Sequence, residues 1–334
     1  MHFFSDFIKR WEWYVFCDNF VSIFLFYLSM KQHYNIASTD EAQQLHYIVW
    51  QPTAKPRGVL QIVHGMEEYI DRYDAFAEYM VANGWAVIGH DHLGHGGSGV
   101  HERGHFSDSE LGAHLIIDDI YRITQIAKKL WGDVPLCIMG HSMGSFLTRR
   151  YLCEHSNEIH AAVIMGSGWY SSFETGLAYY AARLTGVLRG RHTKSKLLTA
   201  LCSLPFLFAF RNEGKNAWLS VNKANVEGFT TDPLRGFGFT AGGYEYMYRN
   251  LLEVSKHTLF EQIRRDLPVL FIAGENDPVG GAKAVKRLAK DFRRHGFGHI
   301  TTYIVEGKRH ELFFEDDADR TMSVISQWLD EHLR

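Results

Sequence analysis

A serine between two glycines, at the end of a buried strand, constrains the fold of this chain most. Residues 136–145 read Leu-Cys-Ile-Met-Gly-His-Ser-Met-Gly-Ser, and a helical pattern begins at Met143. This order of strand, tight turn and helix is the context in which Gly-x-Ser-x-Gly holds a serine on a strained turn. Gly140 and Gly144 lack the Cβ atoms that would collide in such a turn. We therefore predict that Ser142 is a nucleophile.

Segments that fit strands alternate with segments that fit helices along most of the chain. The predicted strands are residues 45–50, 58–63, 85–89, 136–140, 161–165, 268–273 and 300–305. The predicted helices are residues 73–82, 115–130, 143–155, 281–294 and 317–333. Such alternation implies an α/β fold, with a mostly parallel sheet covered by helices on both faces. Ligands then belong at the carboxyl ends of the strands.

The length of the chain, 334 residues, suits one large α/β domain with an insertion or two small domains. About one hundred residues between the strands at 161–165 and 268–273 contain no convincing strand, which is too long for a plain loop. This stretch is rich in Phe, Tyr and Trp. We predict one α/β domain over residues 31–334, with a helical cap inserted at about 169–255 above the site.

Residues 1–30 form an aromatic-rich extension whose assignment the sequence leaves open. Its apolar run, residues 20–28, is too short to span a bilayer. It fits an interfacial helix on a membrane, a helix packed on the body, or residues that precede a true start at Met30. The last interpretation is slightly favoured, because ordinary sequence follows directly.

Charge and cysteine content exclude several classes of protein. The formal net charge of −3 gives no reason to expect a nucleic acid as partner. The four cysteines are widely spaced and form no Cys-x-x-Cys pair, so neither a disulfide framework nor a zinc site is indicated. We expect a reducing, cytoplasmic compartment, with peripheral contact to a membrane left open.

A nucleophilic serine needs a base and a group that orients the base, and both residue types follow later strands. Asp277 follows the strand at 268–273, and His310 follows the strand at 300–305. The chain order Ser, Asp, His is the one expected for this arrangement. Glu275 is the rival for the acid, although Pro278 and the position after the turn favour Asp277. The oxyanion of the intermediate needs two N–H donors, which we assign to the backbone amides of Met143 and Met66.

Several ordered motifs resemble the lysophospholipase and monoacylglycerol lipase group of α/β-hydrolases. They are HGMEEYIDRY at 64–73, HDHLGHGGS at 90–98 and GHSMG at 140–144. The later DPLRGF at 232–237 and GENDPV at 274–279 are similar to bacterial members. Two positions depart from the pattern, with Glu67 where a small residue is common and Tyr69 where a histidine is common. The resemblance, which runs from about residue 45 to the C-terminus, implies an α/β-hydrolase with a serine mechanism and no cofactor.

The histidines of HDHLGHGGS invite a metal interpretation, which the spacing does not favour. The segment lacks the His-x-His-x-Asp-His spacing of binuclear zinc hydrolases, and no further ligand set follows. A turn whose polar side chains hydrogen-bond their own loop is the better interpretation. We predict no metal.

The resemblance, the aromatic cap and a cationic run point to a lipid ester as the small-molecule substrate. Residues 183–196 carry arginines and lysines and no acid, which suits either a solvated helix face or contact with anionic head groups. We therefore expect hydrolysis of lysophospholipid or monoacylglycerol through an acyl-enzyme. A general carboxylesterase, an aminopeptidase and a non-catalytic ligand receptor are the alternatives.

Overall fold

One eight-stranded sheet forms the centre of the computed structural model, which describes residues 30–98, 102–109, 111–256 and 258–333. The extension predicted at 1–30 lies outside the described residues, apart from Met30. The strands are β1 (Met30–Ala37), β2 (Gln44–Gln51), β3 (Gly58–Val63), β4 (Trp85–His90), β5 (Leu136–His141), β6 (Ala161–Met165), β7 (Val269–Gly274) and β8 (Ile300–Val305). Their spatial order is β1-β2-β4-β3-β5-β6-β7-β8.

Helices follow most of the strands. They are α1 (Asp74–Ala82), α2 (Leu115–Trp131), α3 (Met143–His155), α4 (Ser172–Arg189), α5 (Lys196–Ala209), α6 (Lys223–Thr231), α7 (Ala241–Val254), α8 (Leu259–Gln262), α9 (Gly281–Arg294) and α10 (Ala318–His332). Short 3-10 turns lie at Ile70–Tyr73, Gly112–His114, Ser156–Glu158 and Leu312–Phe314.

The sheet is mostly parallel, as predicted, because β3 to β8 pair in parallel with one another. Only β2 runs the other way, pairing antiparallel with both β1 and β4. The sequence analysis missed β1. Its sequence, MKQHYNIA, carries little apolar alternation, and it pairs with β2 along its whole length. An edge strand held in this way needs backbone pairing more than burial of its own side chains.

Two apolar layers cover the sheet, one on each face. On one face, Ile117 and Ile120 of α2 pack in a cluster with Leu147 of α3 and Val285 of α9. On the other, helices α1 and α10 supply the second cluster, which contains Phe76 and Ile325 among its fully buried members. The central strands β3, β5 and β7 are buried on both faces, which explains their largely apolar sequences.

The stretch between β6 and β7 is helical, and within it α4 packs on α7 while α7 packs on α3 of the sheet layer. Ser171 begins α4 with a capping box, in which its hydroxyl accepts from the Glu174 amide and Glu174 accepts from the Ser171 amide. We refer to residues 169–255 as the cap segment. None of the helices in the described part of the chain is both long enough and apolar enough to cross a membrane.

Candidate active site

Ser142 lies on a sharp turn between β5 and α3. Its φ of 53° and ψ of −120° are in a region that L-residues rarely occupy. The neighbouring glycines make the turn possible. A Cβ on Gly144 would collide with the Val63 carbonyl of the adjacent strand, and one on Gly140 would collide with the Gly144 carbonyl. The turn therefore stores strain that presents the serine hydroxyl beyond the carboxyl end of the sheet.

His310 and Asp277 meet at the same edge of the sheet, although 33 residues separate them in sequence. His310 Nδ1 lies 3.0 Å from Asp277 Oδ1, and both side chains are buried. The Val279 amide donates to the same carboxylate oxygen at 2.9 Å, which fixes its direction. Burial alone would lower the pKa of His310, but the charge and hydrogen bond of Asp277, together with Glu311 and Glu68, raise it above the usual value.

Glu275, the rival for the acid, points elsewhere. Its Oε2 accepts the Gly307 amide at 3.0 Å, and the residue is exposed. Asp277 is therefore the acid that contacts the His310 ring in this structure.

Close packing holds the His310 ring beside the turn that carries Ser142. A Cβ on Gly166 would lie 3.2 Å from His310 Cε1, so this glycine leaves room for the ring. The His141 ring packs against it at a centroid distance of 4.8 Å, and the Trp218 ring from the cap segment lies 5.1 Å away. Ser142 and His310 line one cavity. Within the described residues no hydrogen bond joins them, which is common in unliganded sites.

The loop after β3 carries the first proposed oxyanion donor, Met66. His64 shapes this loop, because its Nδ1 donates to the Gly65 carbonyl at 2.8 Å and its Nε2 accepts the His92 amide at 3.0 Å. The Gly65 amide donates to Glu68 Oε1 at 2.6 Å. The second proposed donor, Met143, is the first residue of α3, so its amide has no acceptor within the helix. Both methionines line the cavity with Ser142.

Glu67, which departs from the family pattern, occupies a strained position. Its φ of 57° is in the left-handed region that favours glycine. This conformation gives a physical reason why a small residue is common there. The side chain lines the cavity. Burial raises the pKa of Glu67, against an opposing hydrogen bond from the Gly238 amide and the charges of Lys194 and Lys215.

Replacing Glu67 with glycine is expected to give a protein more stable than the Glu67→Ala variant by about 1 kcal/mol, since only glycine relieves the left-handed strain. Both variants lack the carboxylate, so their difference isolates the backbone. Urea unfolding of the two variants measures the free energies. An alanine variant as stable as the glycine variant would contradict this account of the loop.

Hydrogen bonds anchor the turn after β4, in part to residues outside the turn. Asp91 accepts from the amides of Ile70 at 2.7 Å and Gly97 at 2.8 Å, and His46 Nδ1 lies 2.8 Å from it. Burial lowers the pKa values of His64, His90, His92 and His95, so these rings are neutral at pH 7. They support the loops beneath the site.

Another group of side chains could be taken for a metal centre. Among the described residues, Glu102, His105 and His192 bring potential ligand atoms within 4.8 Å of one another. The two imidazole rings stack at 4.1 Å with an interplanar angle of 22°. One ion cannot lie in the plane of both rings, as the nitrogen lone pairs require. His192 instead contacts Glu102 and Asp108 at 2.5 and 2.8 Å and ties the cap segment to the body.

A cavity of about 560 Å³ lies above Ser142. Its wall is largely apolar, with Phe146, Met247 and Leu251 on one part and Phe206 and Trp218 on another. Its volume, and its largely apolar wall beside Ser142, suit a small organic substrate that carries an apolar chain.

The sequence analysis missed a chain of buried charges beneath this cavity. Glu68, Arg72, Glu311 and Arg235 have side chains that are at most 6% exposed, and they connect in that order. The spacing of Glu68 and Arg72, four residues apart, was the one available signal. Glu311 and Arg235 are too distant in sequence from Arg72 and from each other for the sequence to pair them.

The parallel sheet, the strained serine turn and the Asp–His pair at one edge define the class of an α/β-hydrolase. The family model described as serine aminopeptidase, S33, matches residues 54–317, so the chain belongs to this family.

The relatives and solved structures agree with the resemblance seen in the motifs. A monoacylglycerol lipase of Mycolicibacterium smegmatis is 27% identical over 292 residues, covering 86% of this chain and 93% of the relative. A monoglyceride lipase of Mus musculus is 24% identical, with coverage of 86% and 88%. A carboxyl esterase from Bacillus coagulans has a TM-score of 0.81 at 23% identity, covering 91% of this chain and 99% of the esterase. The last similarity establishes the fold.

Proposed function

We propose that this protein hydrolyses carboxylic esters of single-chain lipids through an acyl-enzyme on Ser142. The observation that carries the proposal is the buried hydrogen bond between Asp277 and His310, at 3.0 Å, beside the cavity that Ser142 also lines. Acyl transfer by a serine requires a base oriented in this way and an accessible serine hydroxyl.

In the proposed reaction, His310 takes the proton of Ser142 while the serine oxygen attacks the ester carbonyl. The carbonyl oxygen becomes an oxyanion that the Met66 and Met143 amides bind. The intermediate collapses, the bond to the alcohol breaks, and His310 gives its proton to the departing oxygen. Water then attacks the acyl-enzyme with His310 as base, which releases the fatty acid and restores Ser142. Asp277 accepts from His310 Nδ1 throughout.

A long acyl chain fits the apolar wall of the cavity, and the names of the relatives favour monoacylglycerol over lysophospholipid as substrate. Each buried methylene contributes about 0.8 kcal/mol. We therefore expect kcat/KM to rise along a series of p-nitrophenyl esters from acetate to longer chains. Equal kcat/KM from acetate to palmitate would contradict a lipid substrate. The head group is then tested by release of fatty acid from monoacylglycerol and from lysophosphatidylcholine of the same chain.

An aminopeptidase would need free carboxylates in the cap segment to bind the substrate's amine. Most of the candidates have other partners: Glu213 pairs with Arg309, Glu245 pairs with Arg191, and Asp232 accepts from Tyr69. These contacts favour the esterase. Turnover of an aminoacyl naphthylamide at a rate that matches the best ester would reverse this preference.

An exposed apolar stripe on the cap segment supports peripheral contact with a membrane. The outward face of α4 carries Phe173 at 80% exposure, Val187 at 75% and Leu188 at 72%. Leu197 on α5 adds to the exposed apolar surface. Arg183, Arg189, Lys194 and Lys196 in the same region are exposed as well. An apolar helix face with a cationic fringe is the composition that rests on an anionic lipid surface.

Leu184, on the same helix as Leu188, is 58% exposed. Changing Leu184 and Leu188 together to glutamate is expected to reduce binding to vesicles of phosphatidylcholine and phosphatidylglycerol at least tenfold. Two apolar anchors of about 1.5 kcal/mol or more each would be lost. Sedimentation with the vesicles measures the bound fraction. Leu130→Glu, at a residue 52% exposed on α2, is the matched control and should bind as wild type. Equal binding of all three proteins would contradict the membrane proposal.

A further inference from the structure

Four buried charged side chains connect the cap segment to the loop that carries Met66 and to the loop that carries His310. Glu68 lies in the loop after β3 that also carries Met66, which we call the oxyanion loop, and Arg72 follows it. Glu311 is next to His310, and Arg235 belongs to the cap segment. Two acids and two bases make the group neutral. Burying an ion pair costs desolvation, so such a group is weak evidence for stability and invites a functional explanation.

At one end, Glu68 holds the oxyanion loop. Its Oε1 accepts from the Gly65 amide at 2.6 Å and from the Tyr73 hydroxyl at 2.9 Å, and lies 3.2 Å from His141 Nδ1. Its Oε2 accepts from Arg72. His141 in turn lies between this carboxylate and the His310 loop, with its Nε2 3.2 Å from the His310 carbonyl. The oxyanion loop and the base are thus attached to one carboxylate.

At the other end, Glu311 collects donors from the body and from the cap segment. Arg72 donates to its two oxygens at 2.9 and 3.1 Å. Arg235 Nη2 donates to the same oxygens at 3.2 and 3.1 Å, and Asn225 Nδ2 donates at 2.6 Å. The Glu311 amide also donates to the Leu219 carbonyl of the cap segment at 2.7 Å. The residue after the base is therefore held from both sides.

We propose that Arg235 is a positioning residue which, through Glu311, couples the seating of the cap segment to the placement and charge environment of His310. This inference rests on the proposed serine mechanism. When Arg235 leaves Glu311, one negative charge beside His310 loses a cationic partner. Arg235 then changes the basicity of the catalytic base through Glu311, without contacting the His310 ring.

The charged surroundings of His310 come from several elements. Asp277 follows β7, Glu311 is adjacent in its own loop, Glu68 reaches it from the oxyanion loop through His141, and Arg72 and Arg235 neutralise the two glutamates. Asp277, Glu311 and Glu68 all act to raise the pKa of His310, against burial. Burial would raise the pKa of Glu311, but Arg72 and Arg235 hold it below its usual value, so Glu311 is ionised at pH 7.

Three variants separate this coupling from a merely structural role, because their charge changes have opposite signs. Arg235→Met leaves an extra negative charge beside His310, which raises the pKa of the base. The acid limb of the pH profile of kcat/KM should therefore move to higher pH by on the order of half a pH unit. Glu311→Gln leaves an extra positive charge, so the limb should move to lower pH. In the double variant the charges balance again, and the limb should return to the wild-type position.

The profiles are measured on the full chain with p-nitrophenyl butyrate, at the isosbestic wavelength of the released p-nitrophenol and its phenolate. Arg235→Lys keeps the charge and should restore the wild-type limb. Arg249→Met removes an exposed arginine of the cap segment that pairs with Glu253, and should leave the limb unchanged. If Arg235→Met does not fold, Glu311→Gln against the double variant gives the same comparison.

Shifts of opposite sign that cancel in the double variant support the inference. Unmoved limbs, or shifts of the same sign in both single variants, overturn it while leaving the esterase proposal intact. A wild-type protein without ester hydrolysis would instead remove the proposed function itself.

Discussion

Replacing Ser142 with alanine is expected to lower kcat about 10⁶-fold, because removal of the nucleophile from a triad leaves only binding and oxyanion stabilisation. The variant removes only the hydroxyl from this residue, whose φ is 53°, and keeps its Cβ. The fold should therefore survive. Release of p-nitrophenol from the best ester of the chain-length series measures the loss.

Ser203→Ala is the matched control for this variant, since Ser203 also lines the cavity and its hydroxyl donates only to the Thr199 carbonyl at 2.7 Å. Its kcat should remain within about threefold of wild type. A Ser142→Ala protein that kept more than a hundredth of the wild-type kcat would mean that another group attacks the ester.

Replacing Asp277 with asparagine should lower kcat about 10⁴-fold, the loss expected when the orienting acid of a triad becomes an amide. The amide can donate to His310 Nδ1, which stabilises the tautomer that carries its proton on the wrong nitrogen. It also provides no charge to stabilise the imidazolium. Circular dichroism should show an unchanged fold, because the shape of the side chain is preserved.

Glu275→Gln is the control for the acid, and it should retain kcat within about twofold. Glu275 is exposed and accepts the Gly307 amide, away from the His310 ring. If Glu275→Gln lost activity while Asp277→Asn kept it, the assignment of the acid would be wrong.

The sequence predicted those parts of the fold in which burial and chain geometry act locally. The strands at Gly58–Val63 and Ala161–Met165 have their predicted bounds, because apolar runs buried on both faces are easily recognised in a sequence. The sequence predicted the turn at Ser142 because only glycine fits at positions 140 and 144. The edge strand β1 left no such signature, since pairing with β2 rather than burial holds it in place.

The buried charges beneath the site could not be predicted from the sequence, for a different reason. Arg72 and Glu311 are 239 residues apart, and Arg235 and Glu311 are 76 apart. Each alone resembles an ordinary surface charge, and only the folded chain shows that they are buried together. The cluster of Glu102, His105 and His192 likewise joins a body loop to the cap segment, a contact that no local pattern predicts.

The central claim is that Ser142 is activated by His310, a residue far from it in sequence. Labelling with an alkyl fluorophosphonate, followed by peptide mass mapping, tests this claim most directly. The serine oxygen displaces fluoride and forms a stable phosphonyl ester. The account predicts one adduct, on Ser142, that is absent from Ser142→Ala and slow to form in His310→Ala. Wild-type protein that takes no label, or carries it on another residue, would contradict the account.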